Sequence, residues 1–301
     1  MRFDRQAAAL ADVVAIPVTP FAEDGTVDRP AYRALVARLA RAGVRAVTPN
    51  GNTGEFYALT AAERRAAVVD TVAAADGAEV LAGVGQDNAG AIDAARHAQQ
   101  AGASMVMVHQ PVHPYVALDG WIDYHRAVAD AVPDLGVVPY VRNPRIGGTE
   151  LRRLGELCPN VIGVKYAVPD PVRFASVARD AGLDRFVWVA GLAELSAPGY
   201  WAVGATGFTS GLVNAVPELS LQLLAALRGG DYPGAMKVWE QIRSFEELRA
   251  ADESANNVSV VKEALAQLGL CRREVRTPSR LLDPEGRTEV ARLLAEWNAT
   301  A

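Results

Sequence analysis

Cysteine, histidine and lysine are all scarce in this chain of 301 residues, and each scarcity excludes a class of chemistry. The two cysteines, Cys158 and Cys271, stand far apart with no third nearby, which rules out a disulfide framework and a cysteine-rich metal site. Both are expected as buried thiols in a reducing cytoplasm. The histidines, His97, His109, His113 and His125, lack His-Glu-x-x-His spacing, so no metal motif emerges. His97 and His125 are assigned to helix surfaces, and only His113 is kept as a residue lining a site. No apolar run approaches the roughly 20 residues that span a bilayer. Residues 1–11 carry arginine and aspartate and lack the apolar core of a signal peptide. A cytoplasmic protein without membrane contact is therefore expected. The net charge of −5 and pI near 5.5 give no general attraction to nucleic acid either, which leaves a small molecule as the expected partner.

Lysine is the most telling shortage. Lys165, Lys237 and Lys262 are the only lysines among 30 basic residues, the rest being arginine. Any chemistry that needs an amine has three candidates.

What the chain does have is material for a core, with half of its residues hydrophobic and 22% charged. Short runs of Val, Ile and Ala alternate with helical periodicity, the pattern of βαβ units and a parallel sheet. Eight strands are predicted at 13–19, 46–49, 79–83, 105–109, 136–140, 162–165, 186–190 and 205–209. Helices lie between them, such as 30–42, which starts on Pro30 and stops at Gly43, and 60–75, where Thr60 and Glu63 form a capping box. Helical periodicity alone follows the eighth strand, at 217–227, 232–250, 258–268 and 287–297. An open doubly wound sheet would carry a Gly-x-Gly-x-x-Gly turn after its first strand, and none is present. The prediction is a (β/α)8 barrel, with residues 1–215 as its core and 216–301 as the last barrel helix plus a helical extension, all one structural domain.

A barrel of this kind works at the C-terminal ends of its strands. That filter passes Thr19, the turn Gly51 to Glu55, Gly85, His109, His113, Tyr140, Lys165, Gly191, Thr209 and Ser210. Lys165 ends the apolar run Val161-Ile162-Gly163-Val164, so its amine points into a poorly solvating barrel. Desolvation disfavours the ammonium and leaves a free amine to attack a carbonyl. A lysine snorkelling to solvent, or paired with an acid such as Glu55, is the plainer alternative. Lys237 and Lys262 fall in the helical tail, where a solvated or salt-bridged face is expected. Tyr140 ends the neighbouring strand and is placed to shuttle a proton, with a rim tyrosine satisfied by water as the alternative. Gly51-Asn52-Thr53-Gly54-Glu55 is a turn suited to presenting backbone N–H groups to a carboxylate, or else an ordinary βα loop. Arg142 and Arg145, after strand 5, are candidates to clamp a second carboxylate, or are simply exposed loop residues.

Taken together, Gly51-Asn52-Thr53-Gly54-Glu55-Phe56, Tyr140, Val161-Ile162-Gly163-Val164-Lys165 and Gly207-Phe208-Thr209-Ser210-Gly211 resemble the dihydrodipicolinate synthase and N-acetylneuraminate lyase superfamily of class I aldolases. The resemblance implies a Schiff base on Lys165, a proton relay through Tyr140, and carboxylate binding at Asn52 and Thr53. It also implies pocket positions at Gly191 and Thr209, to which Ser210 is added, and a carboxylate-binding Arg145. A homotetramer built as a dimer of dimers, with no metal or organic cofactor, is implied as well. Within the superfamily, Thr53-Gly54-Glu55-Phe56, Leu81-Ala82-Gly83-Val84-Gly85, Cys158-Pro159-Asn160, Val258-Ser259-Val260-Val261-Lys262 and Val275-Arg276-Thr277-Pro278 are similar to 5-dehydro-4-deoxyglucarate dehydratases. Asn52 stands where the synthases have a threonine, and His113 where they have an interface tyrosine. Expectation therefore favours dehydration of a keto-deoxy sugar acid. The synthase or another pyruvate-dependent aldolase comes next, and a non-catalytic sugar-acid binding protein is the alternative of another class.

Overall fold

The computed structural model describes residues 2–299, so Met1, Thr300 and Ala301, the outermost residues of the two predicted segments, lie outside it. Eight parallel strands close into a barrel in the order of the sequence. They are β1 (Val13–Ala15), β2 (Ala46–Val47), β3 (Glu79–Val84), β4 (Met105–Val108), β5 (Gly136–Val141), β6 (Gly163–Tyr166), β7 (Val187–Ala190) and β8 (Gly207–Ser210). Each predicted strand is present, most of them trimmed at an end where the chain leaves the ladder.

The helices in chain order are α1 (Asp4–Leu10), α2 (Arg29–Arg41), α3 (Ala61–Ala74), α4 (Asn88–Ala101), α5 (Leu118–Ala131), α6 (Gly148–Leu157), α7 (Pro171–Ala181) and α8 (Ala193–Trp201). They continue with α9 (Pro217–Arg228), α10 (Tyr232–Ser254), α11 (Asn257–Gln267) and α12 (Pro284–Glu296). Local chemistry sets their starts. Thr60 and Glu63 close the predicted capping box of α3, and Asp28, Asp87, Asp170, Asp231 and Asp283 each cap a helix with a carboxylate oxygen. Among the described residues, no helix is long and apolar enough to cross a membrane.

Strand side chains alternate between two cores. Val14, Leu81, Met105, Met107, Val138 and Val189 fill the barrel interior, while Val13, Val80, Val106, Val137, Val164 and Phe208 pack outward against the helices. The bottom of the barrel is stoppered by α1, whose Ala9 and Leu10 join the interior core. That approach demands Gly207, because a Cβ there would stand 2.1 Å from the Leu10 carbonyl oxygen. With one end plugged, the open end is the C-terminal mouth.

Candidate active site

Parallel register brings the two central groups together. Tyr140 on β5 is paired with Lys165 on β6, so both side chains project from the same face of the sheet into the barrel. Lys165 Nζ lies 4.1 Å from the centroid of the Tyr140 ring. Lys165 is 3% exposed and has no hydrogen-bond or ion-pair partner among the described residues. Burial, reinforced by the positive charge of Arg142, brings its amine down to about 7. Glu55, the acid weighed as a partner for Lys165, is engaged elsewhere, with Lys262. Burial also raises the Tyr140 phenol, which therefore stays protonated at neutral pH.

Above them sits the turn. Asn52 Nδ2 donates to the Tyr140 hydroxyl at 3.4 Å, and the Thr53 hydroxyl donates to Asn257 Oδ1 at 3.3 Å. Gly54 and Glu55 spend their backbone N–H groups within the turn, on Gly51 and Asn52 carbonyls, while those of Asn52 and Thr53 find no acceptor among the described residues. The turn lies flat on the end of β1: a Cβ on Gly51 would meet Ile16 Cγ2 at 2.4 Å, and one on Gly54 the Pro17 carbonyl oxygen at 2.9 Å. Thr19 seals that contact by donating its hydroxyl to the Gly54 carbonyl at 2.8 Å.

Gly191, beyond β7, touches the stem of the key lysine. A Cβ there would meet Ala167 Cβ at 2.8 Å, the Tyr166 carbonyl oxygen at 2.9 Å and Lys165 Cγ at 3.1 Å. Gly191→Ala is therefore expected to cost about 1–3 kcal/mol of stability through overpacking and to displace the amine. Thermal unfolding and turnover measured together check this, and a fully active, equally stable variant would remove Gly191 from the site. Thr209, on the inward face of β8, is 4% exposed, and its hydroxyl reaches the Ala190 carbonyl at 3.4 Å.

Several predicted positions fall elsewhere. Ser210 follows Thr209 by one residue and so faces outward, where its hydroxyl bonds with Glu194 and Ser220 behind the barrel. Arg145 is exposed and donates to the Val116 carbonyl at 3.1 Å. Arg142 is the arginine whose charge is felt at Lys165, Tyr140 and Tyr57, and its guanidinium has no bonded partner among the described residues. His113 is exposed and bonds to the Tyr115 backbone. His125, assigned to a helix surface, is fully buried against Trp121, while His97 is half-buried. Cys271 is half-buried rather than buried, in contrast with Cys158. Lys237 is exposed as expected, but Lys262 is salt-bridged in the interior with no side-chain exposure.

His109 passes the strand-end filter but is given no role by the sequence, and the structure sets it beside the site. Its ring stacks on Phe56 with centroids 4.1 Å apart, lies 5.9 Å from the Tyr140 ring, and is fully buried. The Nε2–H donates to the Asn50 carbonyl at 2.8 Å, which leaves Nδ1 as an unpartnered acceptor. Burial depresses the imidazole to about 3, so it remains neutral. Alternation along β4 contained the signal, since Met105 and Met107 point inward and His109 continues their face.

A closed (β/α)8 barrel with an unpaired, desolvated lysine at its mouth, flanked by a protonated tyrosine, defines a lyase of the class I aldolase type. The comparisons agree: residues 9–297 match the Dihydrodipicolinate synthetase family, and the chain belongs to it. It is 33% identical to a protein named "Probable 5-dehydro-4-deoxyglucarate dehydratase" from Saccharopolyspora erythraea, over 96% of this chain and 94% of that one. It is 36% identical to a 4-hydroxy-tetrahydrodipicolinate synthase from Phenylobacterium zucineum, over 91% of this chain and 92% of the other. The crystal structure of dihydrodipicolinate synthase from Bacillus clausii superposes with a TM-score of 0.93 at 39% identity, covering 97% of this chain and 99% of that one. A prophage protein of the dihydrodipicolinic acid synthase family from E. coli K12, solved in complex with pyruvate, superposes with a TM-score of 0.85 at 28% identity, covering 95% and 98%.

Proposed function

We propose that Lys165 captures a 2-oxo acid as an imine and that the protein dehydrates a keto-deoxy sugar acid of the 5-dehydro-4-deoxyglucarate type. The observation that carries the imine reading is the unpaired, 3% exposed amine of Lys165 at the barrel mouth. Its free base adds to the ketone carbon, and the carbinolamine loses water with the Tyr140 hydroxyl as the nearby proton carrier. The protonated imine then accepts the electrons released when a proton leaves the adjacent CH2. The resulting enamine expels the hydroxyl one carbon further on, which takes up a proton and leaves as a second water. The conjugated iminium then accepts the electron pair of the C–C bond to the far carboxylate, which departs as carbon dioxide. After reprotonation of the carbon chain, water hydrolyses the imine and frees Lys165. The N–H groups of Asn52 and Thr53 bind the carboxylate next to the ketone, with Gly191 and Thr209 lining the pocket around it. A substrate of this type has a second carboxylate at its far end, and Arg142, rather than Arg145, holds the free charge to receive it.

The second reading is the synthase reaction, favoured by the 36% identity to the Phenylobacterium enzyme and the 39% identity to the Bacillus clausii one. Against it stand the groups over Tyr140. Its hydroxyl meets the Asn52 amide, which cannot pass a proton onward, and the Thr53 hydroxyl is committed to Asn257. A side-by-side assay decides between the two. Consumption of 5-dehydro-4-deoxyglucarate, with release of water and carbon dioxide, is expected to exceed condensation of pyruvate with aspartate semialdehyde. Robust condensation without turnover of any keto sugar acid would reverse the choice and leave the Lys165 chemistry standing. Cytoplasmic residence and a dimer-of-dimers assembly accompany this proposal.

A further inference from the structure

The Gly51–Gly54 turn is bracketed by two non-glycine residues in the left-handed region, Asn50 at φ 62° and Glu55 at φ 61°. Asparagine tolerates that conformation, whereas glutamate takes it at a cost and keeps it only where its surroundings hold it. The surroundings of Asn50 are clear: its amide donates to the Arg64 carbonyl at 3.0 Å, and its own carbonyl accepts from His109 at 2.8 Å. Glu55 is gripped from the far side of the chain. Lys262 Nζ meets Oε1 at 2.5 Å, and the Arg276 backbone N–H donates to Oε2 at 2.8 Å. Lys262 also donates to the Glu274 carbonyl at 2.7 Å and lies 4.0 Å from the centroid of the Phe21 ring. The same helix supplies Asn257, the partner of Thr53. Thus α11 holds the turn at two points, the Thr53 hydroxyl and the Glu55 carboxylate.

We infer that Lys262 and Glu55 are positioning residues for the carboxylate-binding turn, and that α11 acts as the strut which fixes Asn52 and Thr53 over Lys165. The inference rests on the proposed role of that turn. A plain structural ion pair would affect stability alone. A strut must also set how well the turn receives an anion, because the free N–H groups of Asn52 and Thr53 keep their placement only while the end of the turn at Glu55 is held.

The test uses Glu55→Gln, which keeps the shape of the side chain, together with Lys262→Met and the double variant. Two measurements are made on each: the pyruvate concentration that half-saturates reductive trapping at Lys165, and backbone hydrogen exchange at residues 51–56. Each single variant is expected to raise the half-saturating concentration about 10- to 100-fold, with the same final extent of trapping and faster exchange in the turn. The double variant should be no worse than the poorer single one, since both changes break one link. Unchanged half-saturation with unchanged exchange in folded Glu55→Gln would reduce the pair to ordinary stabilisation and overturn the inference. A wild-type protein that never traps pyruvate would instead count against the imine reading, while the exchange data would still judge the strut.

Discussion

Lys165→Arg will abolish turnover, by at least about 10⁴-fold, because guanidinium cannot form an imine and no other lysine stands in the mouth. Lys237 is exposed on α10, and Lys262 is locked to Glu55. Treatment of the wild-type protein with pyruvate and cyanoborohydride should place a single adduct on Lys165, read by peptide mass spectrometry. The pH dependence gives the prediction its sign. Lys165 is lowered from its ordinary value to about 7, chiefly by burial and then by Arg142, so the free amine is the minor form below that pH and the major form above it. The initial trapping rate should climb as pH rises towards 7 and flatten beyond it, whereas an ordinary lysine would keep gaining to far higher pH. An adduct confined to Lys237 or Lys262, or no adduct with any 2-oxo acid, would refute the assignment. Arg142→Ala should shift the plateau upward, since it removes the second contribution to the lowered value.

The barrel and its mouth were largely legible in the sequence because both follow from local signals. Short runs of Val, Ile and Ala in the strands, punctuation by Pro30 and Thr60 at helix starts and by Gly43 past a helix end, and the rarity of lysine are all read without tertiary knowledge. Lys165, Tyr140 and the turn at Asn52 and Thr53 were placed by strand ends alone, and the structure brings them together. The failures share a different cause. Ser210 was grouped with Thr209 as though adjacent residues at a strand end shared a face, whereas alternation sends one inward and the next to Glu194. Arg145 and Arg142 are three residues apart in a loop with no period to separate them, and only the approach of Val116 shows which one is occupied.

Lys262 and His125 were missed for the reason that buried polar residues usually are. Their partners, Glu55 at a distance of 207 residues and the backbone carbonyl of Trp121, cannot be seen from composition. A further buried carboxylate shows the same limit. Glu194 is fully enclosed, and burial, then the nearby Glu246, pushes its carboxyl up to about 7 against the pull of Arg249, Ser210 and Ser220. This network ties α8, β8, α9 and α10 behind the mouth. Its members came from four separate elements, each unremarkable in its own segment.

Tyr140→Phe should slow turnover by roughly 10²- to 10⁴-fold while the fold is kept, the usual contribution of a positioned acid–base group. This substitution separates two jobs that one side chain performs. The ring face lies 4.1 Å from Lys165 Nζ, and phenylalanine retains it, so the surroundings that desolvate the amine persist. Only the hydroxyl is lost, along with its contact from Asn52 Nδ2 at 3.4 Å. Burial is the largest influence raising the phenol, which keeps the proton in place until a carbinolamine oxygen needs it and allows its recovery afterwards. Imine formation should therefore be slow in the variant yet reach the wild-type extent of trapping at long times, with the loss appearing in kcat more than in KM. Asn52→Thr offers the reciprocal comparison, because it restores a hydroxyl where an amide now meets Tyr140. If Tyr140→Phe turns over at near the wild-type rate, the hydroxyl carries no proton and the role of Tyr140 shrinks to shaping the wall against which Lys165 is held.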